Sequence, residues 1–97
     1  MPGMPGKQLD WSRLAERDYL SALAYLAEVA GNAVALKIVE RTEKALKQIA
    51  KQPEIGTPGR RAGTREYVMA HTGHTLIYRT TAQRIVILRY WHQRREP

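Results

Sequence analysis

Ninety-seven residues suffice for a single domain with one modest core, and a hydrophobic share of 43% argues against disorder. The absence of cysteine excludes disulfides and thiolate metal sites and fits a reducing, cytoplasmic setting. The formal charge is +7, and no apolar run approaches the roughly 20 residues that a membrane span requires.

Residues 1–6 are rich in proline and glycine and read as a flexible tail, with no apolar segment that would serve as a signal peptide. The domain then runs over 7–97. Lys7–Trp11 alternates polar and apolar residues, as a short strand does. Ser12 is a good N-cap. After it, Ala15, Tyr19, Ala22, Leu23, Leu26 and Ala30 recur at helical spacing. Gly31-Asn32 stops this helix and joins it to a second one, whose face is Ala35, Ile38, Val39, Thr42, Leu46 and Ile49. So short a connection makes the two helices antiparallel neighbours. Glu40–Lys44 and Glu43–Lys47 are spaced to pair along the outer side. Pro53 ends the helix, and residues 53–63 form a loop. Three strands follow, near Thr64–Ala70, Thr75–Thr81 and Arg84–Trp91, with short links that suit hairpins. The expected fold is α+β, in the order β-α-α-β-β-β, with a helical hairpin on one face of a small, mainly antiparallel sheet.

The charge is uneven. Residues 1–50 carry seven Lys/Arg against six Asp/Glu, whereas residues 51–97 carry nine against three. The eight basic residues from Arg60 to Arg95 are all arginine, whose planar donor fork suits phosphates and carboxylates. Such a half implies contact with nucleic acid or with an acidic protein. Strand alternation splits each strand into two faces. Glu66, Val68, Ala70, Leu76, Tyr78, Val86, Leu88 and Tyr90 are expected to meet the helices. The other face then carries Arg65, Arg79 and Arg89, one per strand, among Tyr67, Met69, Ile77, Ile85, Ile87 and Trp91. Arginines set among apolar residues suggest a face that a partner covers.

Other signals are discounted. His71-x-x-His74 lacks the further ligands that zinc needs, so no metal site is expected. Gly59-Arg-Arg-Ala-Gly63 lacks the Gly-Lys-Ser/Thr ending of a phosphate loop. Trp11 and Trp91 read as packing residues. A small basic nucleic-acid-binding module is a possible class, but no recognition helix or paired stacking aromatics support it.

Four motifs occur in order: Trp11-Ser12 at the end of the opening strand, Pro53-Glu-Ile-Gly56, Gly63-Thr-Arg-Glu66 with Leu76-Ile-Tyr-Arg79, and Ile87-Leu-Arg-Tyr-Trp-His92 with Arg94 and Arg95 behind it. Together they resemble the RelE/ParE superfamily, and the resemblance covers residues 8–95. It implies the toxin of a type II toxin–antitoxin system, of the kind tied to plasmid stabilisation and growth arrest, with no cofactor and with a cognate antitoxin as partner. It also implies one of two targets. ParE-like members inhibit DNA gyrase. RelE-like members are mRNA interferases that cleave mRNA on the ribosome.

Ribonuclease chemistry needs an acid, a base and cations at one phosphate. RelE-like enzymes commonly carry an arginine where this chain has Thr75, and a terminal tyrosine where this chain ends His92-Gln-Arg-Arg-Glu-Pro97. Glu66, His74 and His92 remain as candidate acid–base groups for that reading. The departures favour the gyrase reading, in which Arg60, Arg61, Arg65, Arg79, Arg89, Arg94 and Arg95 would contact the target. On either reading the antitoxin is expected on Tyr67, Met69, Ile77, Arg79, Ile87, Arg89 and Trp91.

Overall fold

The computed structural model describes residues 8–92, so the tail at 1–6 and the arginines at 94 and 95 lie outside the described residues. The elements are β1 (Gln8–Trp11), α1 (Arg13–Ala30), α2 (Asn32–Lys51), β2 (Thr57–Pro58), β3 (Arg65–Met69), β4 (His74–Thr80) and β5 (Arg84–His92). The sheet order is β1-β5-β4-β3-β2. Only the β1–β5 pairing is parallel, and both helices lie on one face.

The helix boundaries follow local chemistry. The Ser12 hydroxyl accepts the Ala15 N–H at 3.0 Å, so one of the free donors at the start of α1 is satisfied. Gly31 ends α1 at φ 98°, a backbone angle that side chains resist. The connection is this single glycine, because Asn32 already belongs to α2. On α2, Ile38, Thr42, Ala45 and Ile49 recur at i, i+4, i+7 and i+11, and all four are buried. The expected Glu40–Lys44 and Glu43–Lys47 bridges are not made among the described residues.

The 53–63 loop contains an element that its sequence hides. Thr57-Pro58 pairs with Glu66 and Arg65 and so adds a two-residue edge strand, a place where proline is tolerated. The loop is fastened from below. The buried Tyr78 hydroxyl donates to the Pro53 carbonyl at 2.7 Å and accepts from the Gly56 N–H at 3.0 Å. A side chain at Gly56 would put its Cβ 2.9 Å from both Glu66 O and the Tyr78 hydroxyl, so only glycine fits. Arg65 donates to the carbonyls of Gly56 and Glu54.

The face expected to meet the helices is correct on β4 and wrong on β3 and on the first half of β5. The buried face consists of Met69 with half-buried Tyr67 on β3, Leu76 and Tyr78 on β4, and Ile85, Ile87 and Tyr90 on β5. Two causes act. Met69 pairs with His74 and Tyr67 with Leu76, which places Arg65, Tyr67 and Met69 on the helix side. On β5, two steps, Ile87 to Arg89, stand against the single step from Tyr78 to Ile77 on β4. The extra residue, Leu88, forms a bulge and reverses the alternation, so that Ile85, Ile87 and Tyr90 all point inward. Ile87 and Met69 are therefore core residues and not part of an antitoxin surface.

Two tests follow. Tyr78→Phe should lower stability to urea by about 1–3 kcal/mol, because two loop backbone groups lose a buried partner. Burial pushes the Tyr90 phenol up to about 12 from an ordinary value of 10, against a lowering by its hydrogen bond to Thr42. Its contribution to stability is therefore complete below pH 10 and lost as pH rises through about 12. Tyr90→Phe should flatten that part of a stability-against-pH profile, and an unchanged alkaline loss would exclude Tyr90 as its source.

Candidate functional site

The site begins where β1 ends. β1 pairs with β5 only as far as Trp11–Ile87, which leaves the rest of that β5 edge open. Residues at the start of α1 close it. The Ser12 N–H donates to Ile87 O at 2.9 Å, and its hydroxyl donates to Leu88 O at 3.0 Å. Nearly two turns further on, Asp18 accepts the Tyr90 N–H at 3.0 Å, in place of a strand neighbour. The same carboxylate takes a two-pronged pair from Arg89, at 2.8 and 3.0 Å. That pair holds the Arg89 guanidinium above its ordinary value, chiefly through the hydrogen bonds, against a smaller opposing effect of burial. Arg89 also lies 4.8 Å from the centroid of the Trp91 ring.

Beneath this edge runs a row of rings. Trp11 stacks on Tyr19 at 5.1 Å, Tyr19 meets Tyr90 at 4.8 Å, and Tyr90 meets His74 at 5.0 Å. His74 in turn meets the edge of His92 at 5.0 Å. Thr42 from α2 hydrogen-bonds the Tyr90 hydroxyl at 2.9 Å, which ties the row to the second helix. Burial raises Tyr19 above its ordinary value, against a lowering by its bond to Thr42.

The helices extend past the end of the sheet. Between their tip and the end of β5 lies a groove of about 1090 Å³, lined by Leu14, Tyr25, Leu26, Val34, Trp91 and His92 among others. Tyr25 is 64% exposed, so this wall offers aromatic surface to a partner. The sheet face away from the helices is also uncovered and partly apolar, with Val68 61% exposed and Ile77 and Val86 half-buried beside it.

The candidate acid–base groups separate. His74 and His92 are register partners and touch. Glu66 is on the opposite face of the sheet and pairs with Ile77, three residues along β4 from His74. There its carboxylate faces Arg60, 4.0 Å away. A general acid and base must reach one reacting phosphate together, and these three do not converge.

The candidate arginines separate as well. Arg65 fastens the 53–59 loop, Arg60 faces Glu66, and Arg89 is held by Asp18. Arg79 and Arg61 are exposed and without an ion pair among the described residues. Of the expected antitoxin residues, Ile77, Arg79, Arg89 and Trp91 lie on the uncovered face or at its edge, and Tyr67 packs half-buried against the core. Asp18 and the groove were missed in the sequence. Asp18 is one acid on the flank of an apolar helix face, and nothing in its spacing points to β5. Among the described residues no group of three His, Asp or Glu side chains could hold a metal ion.

Comparison with known proteins gives one family. The model of the ParE toxin of type II toxin–antitoxin system, parDE, matches residues 9–97. No curated protein matches the sequence. Solved structures share the fold. A chain of the chromosomal ParDE toxin–antitoxin system of P. aeruginosa superposes with a TM-score of 0.81 at 22% identity, over 92% of this chain and 98% of that one. A chain of the toxin–antitoxin complex RelBE2 of Mycobacterium tuberculosis gives 0.61 at 24% identity, over 93% and 94%. The YoeB/ParE toxin of Agrobacterium tumefaciens gives 0.60 at 17% identity, over 88% and 96%.

The Asp18 bridge makes a graded prediction. Asp18→Ala should cost about 1–3 kcal/mol in urea denaturation, since Arg89 and the Tyr90 N–H both lose their acceptor. Asp18→Asn keeps an acceptor for the N–H and should cost less. Equal losses would mean that the backbone contact contributes nothing.

Proposed function

The chain belongs to the ParE toxin family of type II toxin–antitoxin systems, and from that premise we propose that it arrests growth by inhibiting DNA gyrase and is neutralised by a cognate antitoxin. The family match over residues 9–97 carries this reading. The position of Glu66, on the far side of the sheet from His74 and His92, supports it against ribosome-dependent mRNA cleavage. Inhibition of a large enzyme needs a binding surface and no acid–base pair, and binding surfaces are what this molecule offers.

The antitoxin is assigned to the uncovered apolar surface: Val68, Ile77 and Val86 on the sheet face, continuing past Trp91 into the groove. Burying one such side chain contributes about 1.5–3 kcal/mol. Arg79, exposed and without an ion pair among the described residues, is suited to meet an acidic residue of the partner. The P. aeruginosa and M. tuberculosis neighbours come from structures of toxin–antitoxin systems, which supports a partner of this kind. Target contact is assigned to the exposed loop arginines Arg60 and Arg61, together with Arg94 and Arg95 of the C-terminal sequence.

Induced without its antitoxin, the protein should stop colony formation. In extracts it should block supercoiling of relaxed plasmid and leave mRNA intact. Cuts in translated mRNA beside normal supercoiling would reverse the choice of target. Removal of residues 93–97 should abolish toxicity and leave antitoxin binding in place.

The surface assignment is tested by titration calorimetry. Arg79→Glu should weaken the antitoxin complex at least about tenfold with an unchanged melting temperature, because an opposed charge is costly in an interface. Arg89→Glu should lower the melting temperature too, because it also breaks the Asp18 bridge. Unchanged affinity in Arg79→Glu would move the antitoxin off this face.

A further inference from the structure

One charged surface is used by none of these contacts. On α2, Lys37, Arg41, Lys44, Gln48 and Lys51 recur at i, i+4, i+7, i+11 and i+14, and all five are exposed. At 3.6 residues per turn they lie within an arc of about 80°, in a line about 21 Å long. Among the described residues none of the four cations forms an ion pair. Of the two acids of the helix, Glu40 borders this line and Glu43 lies on the α1 side, and among the described residues neither neutralises one of its charges by contact. The line faces away from α1, because Glu43 and Leu46 occupy the α1 side, in a cleft shared with Tyr19 and Leu20.

The residue types indicate the occupant. Interfaces with proteins are depleted in lysine and built around aromatic or aliphatic anchors, and this line has three lysines and no apolar residue. A membrane surface would call for apolar side chains among the cations. Unpaired RNA is recognised by stacking on aromatics, and the line contains none. A straight, rigid row of point charges suits a stiff polyanion whose phosphates are read without regard to sequence. We infer that this flank of α2 binds the phosphate backbone of duplex DNA through Lys37, Arg41, Lys44 and Lys51. The contact is separate from the groove and the uncovered sheet face and does not depend on the gyrase reading. Beside that reading, it lets the toxin touch protein on one side and DNA on another.

The test is fluorescence anisotropy of the purified full chain with a labelled 20-base-pair duplex of mixed sequence, across a salt series. Four phosphate contacts should give a slope of log Kd against log salt of about 3.6. Each of Lys37→Gln, Arg41→Gln, Lys44→Gln and Lys51→Gln should lower that slope by about 1. The four together should weaken binding more than about tenfold at low salt, with the helical circular-dichroism signal retained. A control set that neutralises Arg13, Arg17, Lys47 and Arg61 should cost clearly less. Equal losses from the two sets would mean diffuse charge attraction and overturn the inference. So would binding that survives the fourfold variant. Equally strong, line-dependent binding to phosphatidylserine vesicles, double-stranded RNA or polyglutamate would replace DNA as the occupant. Loss of DNA binding with growth arrest unchanged would leave the gyrase reading standing.

Discussion

β5 changes neighbours halfway along its length, and most of the molecule is arranged around that change. Its first half is paired on both sides, by β1 and by β4. Its second half would expose backbone polar groups where β1 stops, a cost that a sheet edge must meet somehow. Ser12 and Asp18 meet it with side chains, so the start of α1 acts in place of a missing strand. At the same point the bulge at Leu88 reverses the alternation of β5 and turns Tyr90 toward the helices. The ring row, the buried Thr42–Tyr90 bond and the seat of α1 on β5 all depend on that reversal.

The same constraint creates the exposed surfaces. Because α1 starts beside Ile87 and Leu88 and has reached Tyr90 by Asp18, its remaining turns run on past the end of β5, and a groove opens between the helices and the strand end. Since the helices occupy one sheet face, the other keeps its apolar side chains in water, with Arg79 among them. A surface of that kind on a small, strongly charged protein is suited to a partner that covers it. The cationic line of α2 looks in a third direction. Apolar contact and phosphate contact are thus divided between different parts of a small domain.

The fold also separates the groups that ribonuclease chemistry would have to bring to one phosphate. Glu66 and the histidine pair belong to adjacent strands but to opposite faces, and no side-chain rotation carries a carboxylate through a sheet. The histidines themselves are joined to the aromatic row, where His74 is buried. Arg65 and Arg89, which composition alone would assign to a target, are occupied within the molecule by the 53–59 loop and by Asp18.

The sequence by itself determined the order of the main elements though not the two-residue strand β2, the Ser12 cap, the glycine stop at Gly31, the core face of α2 and the family, because each is written in short local motifs. Helical spacing and capping are local, and so they were legible. It did not determine which face of β3 and β5 lies inward. Alternation specifies two faces but not which one is buried, and a single bulge at Leu88 exchanges them without any mark in composition. Nor did it show that Arg89 belongs to Asp18, 71 positions away in the chain. Pairings of that range exist only once the helix has been laid across the sheet, and they decided which arginines remain free to meet a partner.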